Sequence, residues 1–315
     1  MKPLLFLFAR VCAFSFFIVA AGGSLWGGSF SRDARGTSAA SFLKLPVSAR
    51  AAGLGGAVTA LDGDAASLAW NPAGLASIEG HKAMLTHTPY LDQTAYSNGI
   101  YAHQGLGGGV AVGFSYFDAG SIDETESDAG ATVGSFHPAD GAASVGYGRR
   151  IRGWAMGLAG KFVTTRVVNS DSTFAVDVGL LAPGLWANRV HVGAAAKNLG
   201  GTLTLADTSR SLPQEFSLGA VVRPWPIWLI SSDLKFPRDN DPTLALGTEG
   251  FWVPQEAWKL AARAGWSGTT DSGLGGLAGV TVGMGASYNA LTVDYAYSPV
   301  NDLGDAHRVT LGFSF

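Results

Sequence analysis

Histidines, a single cysteine and two glycine-rich runs are the residues of this chain best able to do chemistry, and their spacing limits what they can do. Of the six histidines, His81, His87, His103 and His307 show no ligand spacing on a shared helix. They fall near the ends of expected strands, where an interfacial or loop role is the ordinary one, so no metal is expected. Gly53-Leu54-Gly55-Gly56 and Gly105-Leu106-Gly107-Gly108 have the look of phosphate loops, but neither is followed by the Lys-Ser/Thr pair that completes one. No parallel βαβ pattern surrounds them. There is no Gly-x-Ser-x-Gly nucleophile elbow. A hydrolase in a barrel wall would need a serine and a histidine side by side, and the strand registers bring no such pair together. Cys12 lies in the leader, so the mature chain offers no thiol, disulfide or thiolate ligand. The chemistry-bearing residues therefore predict no enzyme and no cofactor.

Composition turns the question towards the elements. Among 315 residues, 44 are glycine, only 14% are charged and 47% are hydrophobic, with a mean hydropathy of +0.20. That glycine content is about twice ordinary usage. Beyond the first two dozen residues no run approaches the roughly 18 apolar residues of a spanning helix, so a membrane protein of this composition must cross with strands. A net charge of −3 with scattered basic residues excludes a nucleic-acid surface. Lys2, the apolar run from Val11 to Ala21 and the small residues after it read as an export signal over residues 1–25, with cleavage between about Ala21 and Gly27.

From His81 onward, runs of about 8 to 12 residues alternate apolar with small or polar side chains and end at Gly, Pro, Asn or Asp. Fourteen such runs are expected, with cores at 81–88, 95–104, 107–117, 141–150, 153–167, 172–182, 189–198, 214–223, 227–236, 243–252, 257–266, 277–288, 291–298 and 306–315. Period 2 separates their faces. In the run 257–266, Trp258, Leu260, Ala262, Ala264 and Trp266 share one face, against Lys259, Ala261, Arg263 and Gly265 on the other. The two tryptophans lie roughly 20 Å apart along the barrel normal, the height of an apolar belt between aromatic girdles. Second faces gather Lys161, Asp177, Lys197, Asp233, Lys235, Glu249, Lys259, Arg263, Asp294 and Arg308. Lipid cannot touch that side, because a mid-bilayer charge costs about 2–4 kcal/mol. Mixed signs predict pairing inside a polar lumen. A soluble two-sheet sandwich would instead turn these charges to water, and the girdle tryptophans and leader weigh against it. Short turns near Gly105, Arg150–Arg152, Pro224–Pro226, Pro254–Glu256 and Asn289 alternate with mostly longer loops at 118–140, 199–213, 237–242, 267–276 and 299–305. The fold expected is all-β: a 14-stranded antiparallel transmembrane β-barrel over 81–315, with a small N-terminal helical plug, or hatch, over 28–80.

Residues 28–80 do not alternate. Asp62 to Ala76 reads as a short capped helix followed by a turn, with Pro72 pushing Asn71 into extended geometry and Gly74 letting the chain reverse. The stretches Phe42-Leu43-Lys44-Leu45-Pro46, Ala49 to Ala57, Asp62-Gly63-Asp64-Ala65 and Trp70-Asn71-Pro72-Ala73-Gly74-Leu75-Ala76 resemble the N-terminus of the PorV/PorQ family, within the wider FadL-like group of long-chain fatty-acid transporters. Asp233 to Pro237, Gly247-Thr248-Glu249, Arg263-Ala264-Gly265 and Asp294 to Tyr297 are also similar, as are uncharacterised FadL-like proteins of spirochaetes. The resemblance covers about Phe42 to Phe315, and the Asn-Pro-Ala-Gly-Leu-Ala stretch is its most specific part. It implies a cell outer-membrane channel of a diderm bacterium for hydrophobic small molecules, gated by the plug, with Asn71, Pro72 and Ala73 on the substrate pathway. The same turn could serve only to fold the plug. It further implies a lateral opening at a strand kink, for which Gly107, Gly108 and Gly109 are the candidates. A PorV-type interaction platform, with secretion-machinery proteins as partners, is the alternative.

Overall fold

The computed structural model describes residues 30–90, 93–125, 132–167, 169–205, 208–268, 279–299 and 305–315. The expected leader over residues 1–25 lies outside them. Among the described residues eighteen strands follow in chain order: β1 (His81–Pro89), β2 (Ala95–Gly105), β3 (Gly108–Asp118), β4 (Ile122–Thr125), β5 (Thr132–Phe136), β6 (Ala139–Ile151), β7 (Trp154–Arg166), β8 (Ser170–Leu181), β9 (Val190–Leu199), β10 (Thr202–Leu205), β11 (Thr208–Ser211), β12 (Glu215–Trp225), β13 (Trp228–Pro237), β14 (Thr243–Gln255), β15 (Trp258–Ser267), β16 (Val280–Tyr288), β17 (Leu291–Pro299) and β18 (Asp305–Ser314). Fourteen of them close into one antiparallel barrel when β1 pairs with β18. Closure satisfies every edge, as a sheet immersed in hydrocarbon requires. The other four make two hairpins, β4–β5 and β10–β11, inside long loops. The segment 118–140, expected as a long loop, is thus partly a ladder, with Asp123 opposite Ser135 and Glu124 opposite Gly134.

The two rims differ. One carries tight turns: Leu106-Gly107 and Arg152-Gly153 have positive φ at both residues, the backbone that a two-residue hairpin needs to match strand twist. The opposite rim carries the long loops and both extra hairpins. Outside the wall, Leu85, Phe114, Phe174 and Met284 are 57–72% exposed, and they belong to a band of outward apolar side chains too large for a free soluble surface. Trp225 and Trp228 stack at 5.4 Å, and Trp258 lies against Tyr288 at 4.8 Å, at the short-turn end of that band. This is the interfacial position amphipathic rings favour.

Inside, the chain is not empty. Residues 48–80 fold as α1 (Ala49–Gly53), α2 (Ser67–Trp70) and a 3-10 segment (Pro72–Ser77), with Ser48 capping α1 by accepting from the Ala51 amide at 3.1 Å. The helices are short because α1 runs into Gly53 and the positive-φ Gly55 and Gly56, and α2 into the extended Asn71 before Pro72. Leu54, Leu61, Leu68 and Leu75 are buried against the wall in one core with Trp70. Residues 30–47 continue towards the other rim, where Phe30 donates to the Arg238 carbonyl and Ala39 to the Ser211 carbonyl. The segment therefore threads the barrel from the long-loop rim to the short-turn rim before β1 begins.

Met284 faces outward near the middle of β16. Met284→Arg is expected to cost about 2–4 kcal/mol in equilibrium unfolding from bilayers, against little change for Met284→Leu. Equal stability of both variants would contradict a lipid-facing wall.

Candidate functional site

The lumen side of the wall is built from small residues where the N-terminal segment leans on it. A Cβ added to Gly109 would fall 2.0 Å from the Leu75 carbonyl oxygen, at Gly157 2.1 Å from the Pro72 carbonyl carbon, and at Gly265 2.1 Å from the Gly55 amide nitrogen. Plug main-chain atoms also come within 3.0 Å of such a Cβ at Gly148, Gly179, Gly193, Gly219 and Gly247, and at 3.3 Å at Gly283, so among the described residues nine barrel strands in the arc from β3 to β16 present a glycine to the plug. Only residues without a side chain let two backbones meet at that distance.

The Asn-Pro-Ala turn sits in this collar. Pro72 holds Asn71 extended, at φ −161° and ψ 98°, and Asn71 caps the 3-10 segment by accepting from the Ala73 amide at 3.1 Å. Its Nδ2 donates to the Thr59 carbonyl at 2.6 Å, and its side chain abuts the β8 backbone at Gly179. Asn71 and Ala73 are wholly buried. The three residues anticipated on a substrate pathway are therefore wedged between β7, β8 and the plug. Gly74, expected to reverse the chain, has an ordinary φ; its side chain is excluded because a Cβ would sit 2.5 Å from the Ser67 hydroxyl. Gly107 makes the β2–β3 turn, and Gly108 and Gly109 open β3. The ladder runs unbroken there, Gly105 pairing with Gly108 and Gly109 with Gly148, so in this conformation the wall is closed at the three glycines.

Charge completes the seat. Asp233 accepts from the amides of Val58 and Thr59 at 2.9 Å each and from the Thr59 hydroxyl at 2.7 Å. Arg50 reaches Glu249 at 2.7 Å and Asp64 at 3.2 Å, Glu249 also meets Arg263 at 2.7 Å, and Arg263 passes to Asp294 at 2.6 Å. Burial alone would lower the Arg50 guanidinium, but the carboxylates of Glu249 and Asp64 outweigh it and hold the group above its ordinary value. Lys161 pairs with Asp177 at 2.6 Å and Lys197 with Glu215 at 2.9 Å. Beside the arginine network lies a polar cavity of about 280 Å³, bounded by Arg50, Asp64, Lys82, Lys259 and Thr292. Residues 30–45 are held quite differently. Arg32 meets Asp241 at 2.5 Å, Arg35 reaches Asn240 at 3.0 Å and Lys44 pairs with Asp239, all through the single loop after β13. Their apolar residues Phe42, Leu43 and Leu45 pack on Tyr90, Tyr96, Leu203 and Leu212.

Sequence reading had placed the lumenal charges on the correct face without their partners. The missed residues are the collar glycines, Arg50 and the Asp239–Asp241 loop. The glycines were visible as the small members of the second face, as at Gly265 and Gly283; the ion pairs, some joining residues 199 apart, had no local signal.

Solved structures share this architecture. The Pseudomonas putida toluene transporter TodX superimposes with a TM-score of 0.56 at 12% identity, covering 84% of this chain and 96% of that one. A Pseudomonas aeruginosa FadL homologue gives 0.56 at 12% identity, with 85% and 98% covered. At such identity the likeness establishes the fold. No family model matches the chain. No curated protein matches it either, so the narrower PorV/PorQ resemblance rests on the sequence motifs alone.

Glu249 is completely buried between two arginines. Glu249→Ala leaves Arg50 with Asp64 alone and Arg263 with Asp294 alone, and is expected to cost about 1–3 kcal/mol, read as a lowered urea midpoint with an unchanged slope. No shift would mean the network does not hold the plug.

Proposed function

We propose that this chain is a FadL-like channel of the cell outer membrane of a diderm bacterium, passing hydrophobic compounds such as long-chain fatty acids without covalent chemistry. The observation that carries the reading is the two-part filling of the lumen: a seated plug over 48–80, and an apolar strap over 30–47 tied mainly through side chains at one rim. Apolar outer walls, opposite rims of unequal loop length and likeness in fold to the TodX and FadL-homologue barrels support it.

Gating by the N-terminal segment divides accordingly. Displacing residues 48–80 would break the Glu249 and Asp233 contacts and withdraw backbone from every collar glycine, whereas lifting the strap breaks the exposed Arg32–Asp241 pair, the pair of half-exposed Lys44 with buried Asp239, two backbone hydrogen bonds and one apolar cluster. Exposed pairs contribute little stability and weaken with salt. The strap is the moving part, and Asn71, Pro72 and Ala73 are the fixed seat against which it moves. Ligand entering at the long-loop rim takes the place of Phe42, Leu43 and Leu45 against Tyr96, Leu203 and Leu212.

Two disulfides separate this gate from the whole plug moving. Ala39→Cys with Ser211→Cys would lock the strap, whose backbone bonds there at 3.0 Å. Thr59→Cys with Ser217→Cys would lock the plug, where the two hydroxyls lie 3.1 Å apart. Oxidation of the first pair is expected to abolish fatty-acid uptake reversibly, and of the second to leave it intact. The reverse pattern would make the plug the gate. Equal uptake by a deletion strain and its parent would remove the channel reading and leave the secretion platform.

A further inference from the structure

The collar explains the glycines that face the lumen and leaves Gly250 unexplained. On β14 the inward row runs through Gly247 and the buried Glu249, so Gly250 faces outward, and a Cβ added there would meet nothing within 4 Å. Glycine weakens a strand, and one that admits no close backbone needs another reason.

Gly250 is the floor of a hollow in the outer wall. Register pairs it with Trp228 on β13 and with Ala262 on β15. β14 continues to Gln255, five residues past that pairing, while the β12–β13 turn ends beside it, with the Phe251 amide donating to the Ile227 carbonyl at 2.8 Å. The step in the rim leaves a hollow of about 590 Å³, walled by the exposed side chains of Trp225, Ile227, Trp228 and Trp252. Trp228 is held on two sides, by its stack on Trp225 and by its Nε1, which donates to the Thr248 hydroxyl at 2.7 Å. One wall of the hollow is thus set before anything enters it.

The same turn carries a cation. Of the arginines at this rim, Arg150 and Arg223 turn to Asp62, at 3.9 and 4.0 Å. Arg189, just before β9, does not. Its exposed guanidinium reaches the Pro224 carbonyl at 3.5 Å, next to Trp225, and no carboxylate among the described residues pairs with it.

We propose that the hollow holds an anionic phospholipid of the leaflet at the short-turn rim, with Arg189 on its phosphate and one acyl chain lying over Gly250 and Ala262 between Trp228 and Trp252. Depth and charge both point to this occupant. The floor faces hydrocarbon and the arginine sits at the rim, the order in which a phospholipid presents chain and phosphate. A guanidinium offers a phosphate parallel donors in one plane. A second copy of this chain would bring the same unpaired arginine on the same face, like charge towards like. The lipid completes the wall where the rim steps, and the site stands whatever the lumen carries.

The test strips the purified full chain of lipid in detergent, adds phosphatidylglycerol or phosphatidylcholine of matched chains, and counts retained lipid by native mass spectrometry. The wild type is expected to keep one phosphatidylglycerol, bound about fivefold more tightly than phosphatidylcholine, the ratio that one arginine at a membrane surface supports. Gly250→Phe fills the hollow and is expected to lose both lipids. Gly160→Phe, at an outward glycine of β7 equally free of neighbours, is expected to keep them. Arg189→Gln is expected to bind the two lipids equally. Each variant should keep the wild-type unfolding midpoint, and Arg189→Gln, altering an exposed side chain, reads the site whether or not Gly250→Phe folds. Equal retention by wild type and Gly250→Phe overturns the acyl-chain site, as does equal loss at Gly160→Phe. A headgroup preference that survives Arg189→Gln overturns the role of that residue. Lipid-free dimers that Gly250→Phe disrupts would give the hollow to a second copy and overturn the lipid.

Discussion

A closed sheet that faces lipid outside and polar groups inside must fill its own interior, and in this barrel the filling is backbone against backbone. The wall gives up side chains at Gly109, Gly148, Gly157, Gly179, Gly193, Gly219, Gly247, Gly265 and Gly283, and the N-terminal segment comes within contact of the strands along most of the circumference. The high glycine content that first set the chain apart is in part the means of this fit. A side chain at any of several of these positions would overlap main-chain atoms of the plug, which have no rotamer by which to escape.

On that fit the electrostatics depend. Several charges of the inner face pair within the wall, and it is the seated plug that brings Arg50 to Glu249 and the amides of Val58 and Thr59 to Asp233. The result is a segment with two grades of attachment. Residues 48–80 are held by buried bonds of several kinds, while residues 30–45 hang from the loop at 238–242, where Arg32 and Asp241 face solvent. A gradient of that kind allows one end of a lumenal segment to move while the other stays, as local opening follows local burial.

The barrel was legible because period 2 survives any ambiguity in strand ends: the run from Trp258 to Trp266 sorts its tryptophans outward and Arg263 inward whatever its neighbours do. All fourteen expected runs became strands of the barrel, with boundaries moved by a few residues. The β4–β5 hairpin was not legible, since acidic residues in a solvated ladder carry no burial signal. Leu203 and Leu212, buried beneath the strap, were hidden for another reason: Phe42, Leu43 and Leu45, which cover them, lie more than 150 residues away in sequence. Pro72 foretold the geometry of Asn71 through a local steric rule, whereas the contacts that give Asn71 its place are with Thr59 and the β8 backbone. The likeness to TodX and to the FadL homologue lies in the same tier as the strands, being one of architecture.

The central claim is that the collar fixes one part of the lumenal segment and leaves the other free to leave. Hydrogen exchange on the full chain in bilayers tests it most directly, since exchange reports opening free energy residue by residue. The account predicts that amides of residues 49–78 exchange as slowly as those of the barrel strands, while those of residues 38–45 exchange orders of magnitude faster and speed up further at high salt. Equal protection of the two parts, or a plug that exchanges faster than the strap, would contradict it.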